Sequence, residues 1–178
     1  MGRSRYKIHE SHEPYFVSST LLEELPLFSK PQVAQVLLEK FMVLQNMRSV
    51  KVYAYVIMPN HFHAVVQGEQ LSKKLRLTKS YVARQILEVL KRNGHTRWLQ
   101  KLKECKRSYK RQRTYQVWEE GLHPKQLSTT KMMAQKIEYI HQNPLKAGWV
   151  NAPDDWRCSS AGNYLGREGL IPVTLFAG

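Results

Sequence analysis

The sequence predicts an α+β fold built on an antiparallel sheet, and three observations support this prediction. Short runs of aromatic and β-branched residues alternate with longer segments of helical periodicity. Two of the short runs are separated only by the turn signal Pro59-Asn60, which favours an antiparallel hairpin. The 178 residues, of which 42% are hydrophobic, suffice for one domain with a sizeable core.

The first half of the chain is predicted to form a strand, a helix and two further strands. Residues 15–21 are rich in aromatic and β-compatible residues and predict the first strand. Ser29 and Pro31 are typical of a helix start, and the apolar residues up to Leu44 follow helical spacing. Residues 50–58 and 61–67 predict the two strands of the hairpin.

The second half is predicted to form a helix, a short strand and a last helix. Residues 71–90 have an amphipathic pattern that ends at Asn93-Gly94, and residues 115–118 are a strand candidate. Thr129 or Thr130 is expected to cap the last helix, which Pro144 is expected to stop after Asn143.

The first six predicted elements match the βαββαβ pattern of ferredoxin-like folds, with one C-terminal helix appended. That pattern places both main helices on one face of the sheet, so the appended helix is free to cover the other face. We expect a single domain over residues 1–178, with a flexible basic arm at residues 1–13 and an irregular C-terminal tail at residues 151–178.

The net charge predicts a polyanionic partner. The chain has 28 Lys and Arg residues against 14 Asp and Glu, which gives a net charge of +14 and a pI near 9.9. A field of this sign favours nucleic acid first and an acidic membrane surface second. Charge alone does not distinguish DNA from RNA.

A basic run at residues 101–113 is the strongest candidate for phosphate contacts, although such a run is often only a solvated surface. Trp98 and Tyr109 are candidates for stacking on unpaired bases. Arg3 and Arg5 on the N-terminal arm are further candidates for DNA contacts. The seven basic residues of the run are Lys101, Lys103, Lys106, Arg107, Lys110, Arg111 and Arg113.

The cysteines and the apolar pattern indicate a cytoplasmic protein. Cys105 and Cys158 form no Cys-x-x-Cys or Cys/His cluster, which argues against structural zinc and fits a reducing compartment. A single disulfide remains open. No apolar run reaches membrane-spanning length, and the first residues lack a secretory signal pattern.

The segment Met58-Pro59-Asn60-His61-Phe62-His63 is the most informative part of the chain. Side chains alternate between the two faces of a strand, so His61 and His63 are expected to project from one face, while Phe62 enters a core on the other. Two imidazoles on one rigid strand can share a divalent cation. The alternative is a half-exposed polar face, and it is favoured unless a third ligand and a reacting group lie nearby.

The last predicted helix can supply both. Tyr139 and Asn143 are one turn apart, and Lys136 lies one turn before Tyr139 on the same side. Asn143 offers an oxygen ligand that suits Mg²⁺ or Mn²⁺. A phenol is a weak nucleophile at neutral pH, because its reference pKa is about 10, and an ammonium such as that of Lys136 favours its ionised form. The simpler interpretation is that Tyr139 is a packing aromatic and Asn143 a helix terminator.

These residues resemble a known family. Pro59-Asn60-His61-Phe62-His63 is similar to the HUH motif of single-tyrosine transposases. The stretch from Tyr139 to Val150 resembles the tyrosine helix of their REP-associated branch, the RAYTs. Blocks at residues 118–121 and 155–161 are similar to further blocks of that branch, and the resemblance covers roughly residues 14–165.

The resemblance implies a ferredoxin-like HUH endonuclease that acts on single-stranded DNA beside a REP hairpin with Mg²⁺ or Mn²⁺. It assigns His61 and His63 as metal ligands, Asn143 as the third ligand and Tyr139 as the nucleophile. It implies a 5′-phosphotyrosine intermediate and a free 3′-OH. The branch favours a monomer, and a domain-swapped homodimer remains open. Such an enzyme of DNA transposition would be cytoplasmic and associated with the nucleoid.

Two other functions remain open from the residues themselves. The first is a catalytically silent protein on the same fold that binds hairpin DNA or RNA. The second is a metal-dependent hydrolase that activates water and uses Tyr139 only structurally.

Overall fold

The computed structural model describes Ile8 and residues 12–178. The predicted positions Arg3 and Arg5, and most of the predicted arm, lie outside this part of the chain. The strands are β1 (Tyr15–Thr20), β2 (Lys51–Ile57), β3 (His61–Gln67) and β4 (Lys125–Gln126). The helices are α1 (Pro31–Asn46), α2 (Leu71–Arg92), α3 (Thr96–Glu104), α4 (Thr130–Lys146) and α5 (Ala161–Tyr164), with 3₁₀ turns at Leu22–Glu24, Leu27–Ser29 and Pro153–Asp155.

The four strands form one antiparallel sheet in the order β2-β3-β1-β4. The hairpin of β2 and β3 turns at Pro59-Asn60, as the sequence predicts. β3 lies between β2 and β1, so His63 is opposite Val56 on one side and Ser18 on the other. This central position fixes the direction in which the β3 side chains point.

The alternation along the strands divides the interior into two cores. Phe62 and Ala64 belong to the larger core, which α1 and α2 cover on one face of the sheet. On the other face, Val65 packs with apolar residues of β1, β2 and α4. The members of this second core are Phe16, Ala54, Val56, Met58, Val65, Leu127, Met133, Ile137 and Ile140. The predicted α+β fold, with the appended helix on the face opposite the two main helices, is confirmed.

The predicted strand at residues 115–118 is wrong. The backbone of this segment bonds to two separate places. Gln116 donates to the carbonyl of Leu102, whereas Val117 accepts from Leu22 and Trp118 forms an isolated bridge with the adjacent Leu21. The fourth strand is instead the two-residue β4, which pairs with β1. An apolar and aromatic run does not show whether its partner is a sheet edge or several unrelated elements.

Two helix predictions also need correction. Helix α3, which was not predicted, begins inside a polar segment and fully buries only Leu102. Helix α4 continues through Pro144 to Lys146. Proline has no N–H to donate to the carbonyl of Ile140, but α4 continues for only two residues beyond it. The helix is terminated just after Lys146 by Gly148, whose φ of 75° suits glycine. The N–H of Trp149 then donates to the carbonyl of Pro144.

The C-terminal segment is mostly irregular and packs against the sheet. The N–H of Ser160 donates to the carbonyl of Tyr55, the N–H of Thr174 donates to the carbonyl of Val52, and Ile171 is buried. Within the described residues, no helix combines the length and the hydropathy needed to cross a membrane.

A buried hydrogen-bonded junction ties α4 to this segment and to β2. The hydroxyl of Ser160 accepts from the backbone N–H of Tyr55 at 2.9 Å and lies 2.9 Å from Nε2 of His141. His141 itself is buried. Burial lowers the pKa of His141 to about 4, although the charge of Glu138 acts in the opposite direction.

This junction predicts acid-sensitive stability. The unfolded imidazole, with a pKa of about 6.5, takes up a proton before the folded one does. The free energy of unfolding should therefore fall as the pH drops from about 6.5 towards 4. His141→Gln keeps a hydrogen-bonding side chain but does not titrate. Between pH 7 and pH 4.5 its free energy of unfolding should therefore fall by roughly 2 kcal/mol less than that of the wild type.

Chemical denaturation in EDTA at the two pH values measures this difference. His123→Gln, which changes an exposed histidine, is the control and should keep the wild-type dependence. Equal pH dependence in His141→Gln and the wild type would contradict the assignment.

Candidate active site

Two histidines form the centre of the site. His61 and His63 project from the α4 face of β3, and their ring centroids are 4.8 Å apart. Nδ1 of His61 lies 2.7 Å from Oδ1 of Asn60. Because an amide oxygen only accepts, Nδ1 of His61 is the donor, and its Nε2 carries a free lone pair. Nδ1 of His63 is buried and has no hydrogen-bond partner in the described part of the protein.

Both imidazoles are held in the neutral form. Burial lowers the pKa of His63 to about 3, and the positive charges of His61 and Lys136 act in the same direction. Burial also lowers the pKa of His61, whereas the nearby carboxylate of Glu24 raises it. A neutral imidazole is the form that binds a metal ion. The site therefore has the protonation state that a cation requires.

Tyr139 of α4 completes one side of the site. Its ring centroid lies 5.4 Å from that of His63 and 5.8 Å from that of Phe16, both edge to face. Phe16 in turn stacks on His63 at 5.3 Å. Tyr139 is nevertheless 38% exposed, so a solvent-borne molecule can reach it. A tyrosine that served only packing on this face would be expected to be buried like Ile137 and Ile140.

Two ammonium groups lie near the Tyr139 ring. Nζ of Lys136 is 4.8 Å from its centroid and 4.6 Å from that of Phe16. Lys146 is the last residue of α4, and its Nζ is 6.0 Å from the centroid of the Tyr139 ring. Burial and the charge of Lys125 lower the pKa of Lys136. Lys136 was a sequence prediction; Lys146 was missed, although its i+7 spacing from Tyr139 was a usable signal.

The direction of α4 determines where Asn143 lies. Tyr139 lies above His63. Trp149, just beyond the end of the helix, contacts Trp156. Trp156 in turn donates to the carbonyl of Ile57, near the start of β3. Asn143, one turn after Tyr139 and half-buried, therefore lies towards the His61 end of the strand. The described residues contain no group of three His, Cys, Asp or Glu side chains that could hold a metal ion. A third protein ligand for a cation at this position would have to come from another residue type, such as asparagine.

An acidic pocket beside the histidines was not predicted. Thr20, which is opposite His61 in the sheet register, lines this pocket together with Glu23, Glu24 and Glu119. The backbone N–H of Glu23 donates to Glu119, and Glu119 also forms an ion pair with Arg107. This pocket therefore links the basic run, through Arg107, to the end of β1 that lies next to His61.

Glu119 of this pocket and the adjacent Glu120 partly neutralise the predicted DNA-binding run. Arg107 pairs with Glu119 at 3.1 Å, and Lys110 pairs with Glu120 at 3.2 Å. Nζ of Lys106 donates to the backbone carbonyl of Lys110. The residues of the run that are exposed and form no ion pair among the described residues are Lys101, Lys103, Arg111 and Arg113.

The two predicted stacking aromatics lie in different environments. Tyr109 is 62% exposed, and a hydrogen bond to Glu120 raises the pKa of its phenol. Trp98 is half-buried and packs against the larger core. Tyr109 therefore presents a free ring surface, whereas much of the Trp98 ring is used by the fold.

Taken together, the site offers two neutral imidazoles, an accessible phenol and two nearby ammonium groups. One imidazole nitrogen is buried and has no hydrogen-bond partner among the described residues, and the other ring is oriented by Asn60 in the way that metal-ligating histidines are oriented. The residues present fit a divalent cation that His61 and His63 would hold. An arrangement of this kind suits nucleophilic attack by a phenol on a phosphate ester.

Comparison with known proteins agrees with the resemblance drawn from the motifs. No protein-family model matches the chain. A Haemophilus influenzae protein, provisionally named a REP-associated tyrosine transposase, is 27% identical over 110 residues. The aligned region is 60% of this chain and 56% of that protein, so the match spans just over half of the relative's length.

The fold has a solved counterpart. A structure of a REP-associated tyrosine transposase bound to a REP hairpin matches with a TM-score of 0.65 and 20% sequence identity. The match covers 99% of this chain and 92% of that one.

Proposed function

We propose that this protein is a metal-dependent, single-strand-specific DNA endonuclease and strand transferase that acts at REP-type hairpins through a covalent phosphotyrosine. The observation that carries the proposal is the position of Tyr139, whose accessible ring lies 5.4 Å from the His63 ring on the face of the sheet that α4 covers. The similarity to REP-associated tyrosine transposases supports the same function.

The proposed reaction is a transesterification. The phenolic oxygen of Tyr139 attacks the scissile phosphorus, the P–O3′ bond breaks, and the products are a 5′-phosphotyrosine and a free 3′-OH. A water molecule takes the phenolic proton, and the 3′ oxygen gains one. Lys136 and Lys146 stabilise the negative charge that develops on the phenol. Because the phosphotyrosine is itself a phosphodiester, a 3′-OH can attack it and rejoin a strand without ATP.

His61, His63 and Asn143 are the proposed holders of Mg²⁺ or Mn²⁺. When bound, the cation polarises a non-bridging phosphate oxygen and orients the scissile phosphodiester. Asn60 keeps the His61 ring in its ligating orientation. Phe16, stacked on His63, restricts the orientation of the second ring.

The exposed cations of the basic run would bind the DNA backbone next to the site. The loop that follows α3 reaches the site through Glu119, whose N–H donates to the carbonyl of Thr20, opposite His61. The ion pairs of Arg107 and Lys110 hold this loop in place. Tyr139 approaches the histidines of its own chain, which favours a monomer. An enzyme with this DNA substrate would work at the nucleoid.

The central prediction concerns Tyr139. Wild-type protein incubated with Mn²⁺ and a single strand that contains a hairpin should form a covalent protein–DNA adduct on a denaturing gel. Tyr139→Phe should form none, because it lacks the attacking oxygen, while its DNA affinity should change less than threefold. Cleavage without an adduct would indicate a hydrolase, and binding with neither would indicate a silent hairpin-binding protein.

Tyr81→Phe is a matched control. Tyr81 is 37% exposed, lies on a helix and has the ammonium of Lys40 5.1 Å from its ring, much as Tyr139 has Lys136. It sits on α2, away from the histidines. Adduct formation should be unchanged in Tyr81→Phe, and a comparable loss there would argue against a specific role for Tyr139.

A second prediction concerns the cation. Mn²⁺ binding, measured by calorimetry without DNA, should fall at least tenfold in His61→Ala and His63→Ala, and by a smaller factor in Asn143→Ala. His123→Ala removes an exposed histidine of the acidic pocket and should bind Mn²⁺ like the wild type. A loss in His123→Ala with none in His63→Ala would place the cation in the acidic pocket instead.

A third prediction concerns salt. DNA affinity should fall steeply between 50 and 200 mM salt, as expected for counterion release (about one ion per phosphate contact). The double variant Lys101→Ala/Lys103→Ala should lower the slope of log K against log salt by up to about two. Lys73→Ala/Lys91→Ala, which changes two cations of α2, is the control for net charge. Equal slopes in both double variants would show that binding follows total charge rather than this surface.

A further inference from the structure

Trp149 is an exposed aromatic residue that the reaction described above does not use. It follows α4 directly and is 59% exposed. Its ring centroid lies 6.2 Å from that of Trp156, tilted by 54°. Trp156 is itself anchored, since its indole N–H donates to the carbonyl of Ile57 at 2.9 Å. An exposed indole supported by a second, fixed indole is a large apolar surface that nothing in the described chain covers.

The backbone holds Trp149 in place. The N–H of Gly148 donates to the carbonyl of Leu145, and the N–H of Trp149 donates to the carbonyl of Pro144, both at 3.0 Å. These bonds close the last turn of α4. A fixed aromatic ring loses little conformational entropy when a partner stacks on it.

Trp149 lies on the same side of the protein as the proposed nucleophile. Ile57, which anchors Trp156, pairs with Phe62, the neighbour of His61. Along α4, the seven residues from Tyr139 to Lys146 rise about 10 Å, and three further residues lead to Trp149. A few nucleotides of unpaired strand cover that distance.

The charge around Trp149 suits a polyanion. Lys146 and Arg157 are exposed nearby in the chain. The two adjacent acids have protein partners: Asp154 pairs with Arg167 at 2.6 Å, and Asp155 accepts from the N–H of Ala152. An exposed aromatic with cations nearby is the combination that single-strand binders use to stack bases and hold the backbone.

We propose that Trp149, backed by Trp156, is a stacking platform for one unpaired nucleobase of the strand whose phosphate reaches Tyr139. The inference rests on the proposed function and extends it from the reacting phosphate to a flanking base. Stacking on an indole face does not select a base, so the platform would position the strand rather than read its sequence.

Affinity for a hairpin with a single-stranded flank, measured by fluorescence anisotropy, tests the platform. Trp149→Ala should weaken binding roughly tenfold, and Trp149→Phe, which keeps an aromatic face, should stay within threefold of the wild type. Leu165→Ala, which removes a similarly exposed apolar side chain, should bind like the wild type. Equal affinity of Trp149→Ala and the wild type would overturn the proposal.

Abasic sites placed one at a time along the flank identify the base. At one flank position the abasic substitution should weaken wild-type binding but leave Trp149→Ala unaffected. The abasic substitution and Trp149→Ala each lower the affinity. If these two losses of affinity add at every flank position, no base stacks on Trp149 and the proposal fails. If adducts still form on Tyr139 in that case, only the platform fails. If no DNA binds at all, the proposed function fails with it.

The exposed surface of Trp149 could instead form a contact between two copies of the chain. Analytical sedimentation distinguishes this use from the stacking platform. Wild-type protein and Trp149→Ala should sediment alike. A dimer that dissociates in Trp149→Ala, with no change in DNA affinity, would contradict the platform.

Discussion

The packing of α4 on the β2–β3 face of the sheet is the interaction on which the rest of the site depends. The side chains of β3 alternate between faces, so Phe62 and Ala64 enter the core under α1 and α2, while His61 and His63 face the other way. Ile137 and Ile140 bury the apolar stripe of α4 against Val56 and Val65. Tyr139, between these two isoleucines in the sequence, is thereby turned towards the histidines. A register shift of one residue in β3 would move both imidazoles into the larger core.

The fold was largely predictable because its signals are local. The turn at Pro59-Asn60, the two strands around it and the apolar stripe of α4 are each visible within a few residues. The errors concern features set by distant partners. The segment at residues 115–118 has a strand-like composition, but its backbone bonds to Leu22 and Leu102, which no local pattern reveals. Helix α4 continues for two residues past Pro144, and its end is set by Gly148, whose positive φ takes the chain out of the helix.

The candidate site was predictable to the same extent and for the same reason. The spacing of His61 and His63, and that of Lys136, Tyr139 and Asn143, follow from strand and helix periodicity. Their approach to each other required only that α4 cover the free face of the sheet. The acidic pocket could not be predicted, since it joins Glu23 and Glu24 to Glu119 across 95 or more positions of the chain. Neither could the ion pairs that occupy Arg107 and Lys110, because a run of charges in a sequence does not show which of them are already paired.

The electrostatics of the site show a tension between stability and function. His63 is buried beside two other basic groups, His61 and Lys136, and one of its ring nitrogens has no hydrogen-bond partner in the described chain. A buried polar atom left unpaired costs stability. A protein under selection for stability alone would place an apolar residue there, as it does at Val65 two positions along the same strand face. The proposed cation site accounts for an imidazole at this position, because a bound cation would use the lone pair of the nitrogen and thereby stabilise the folded state.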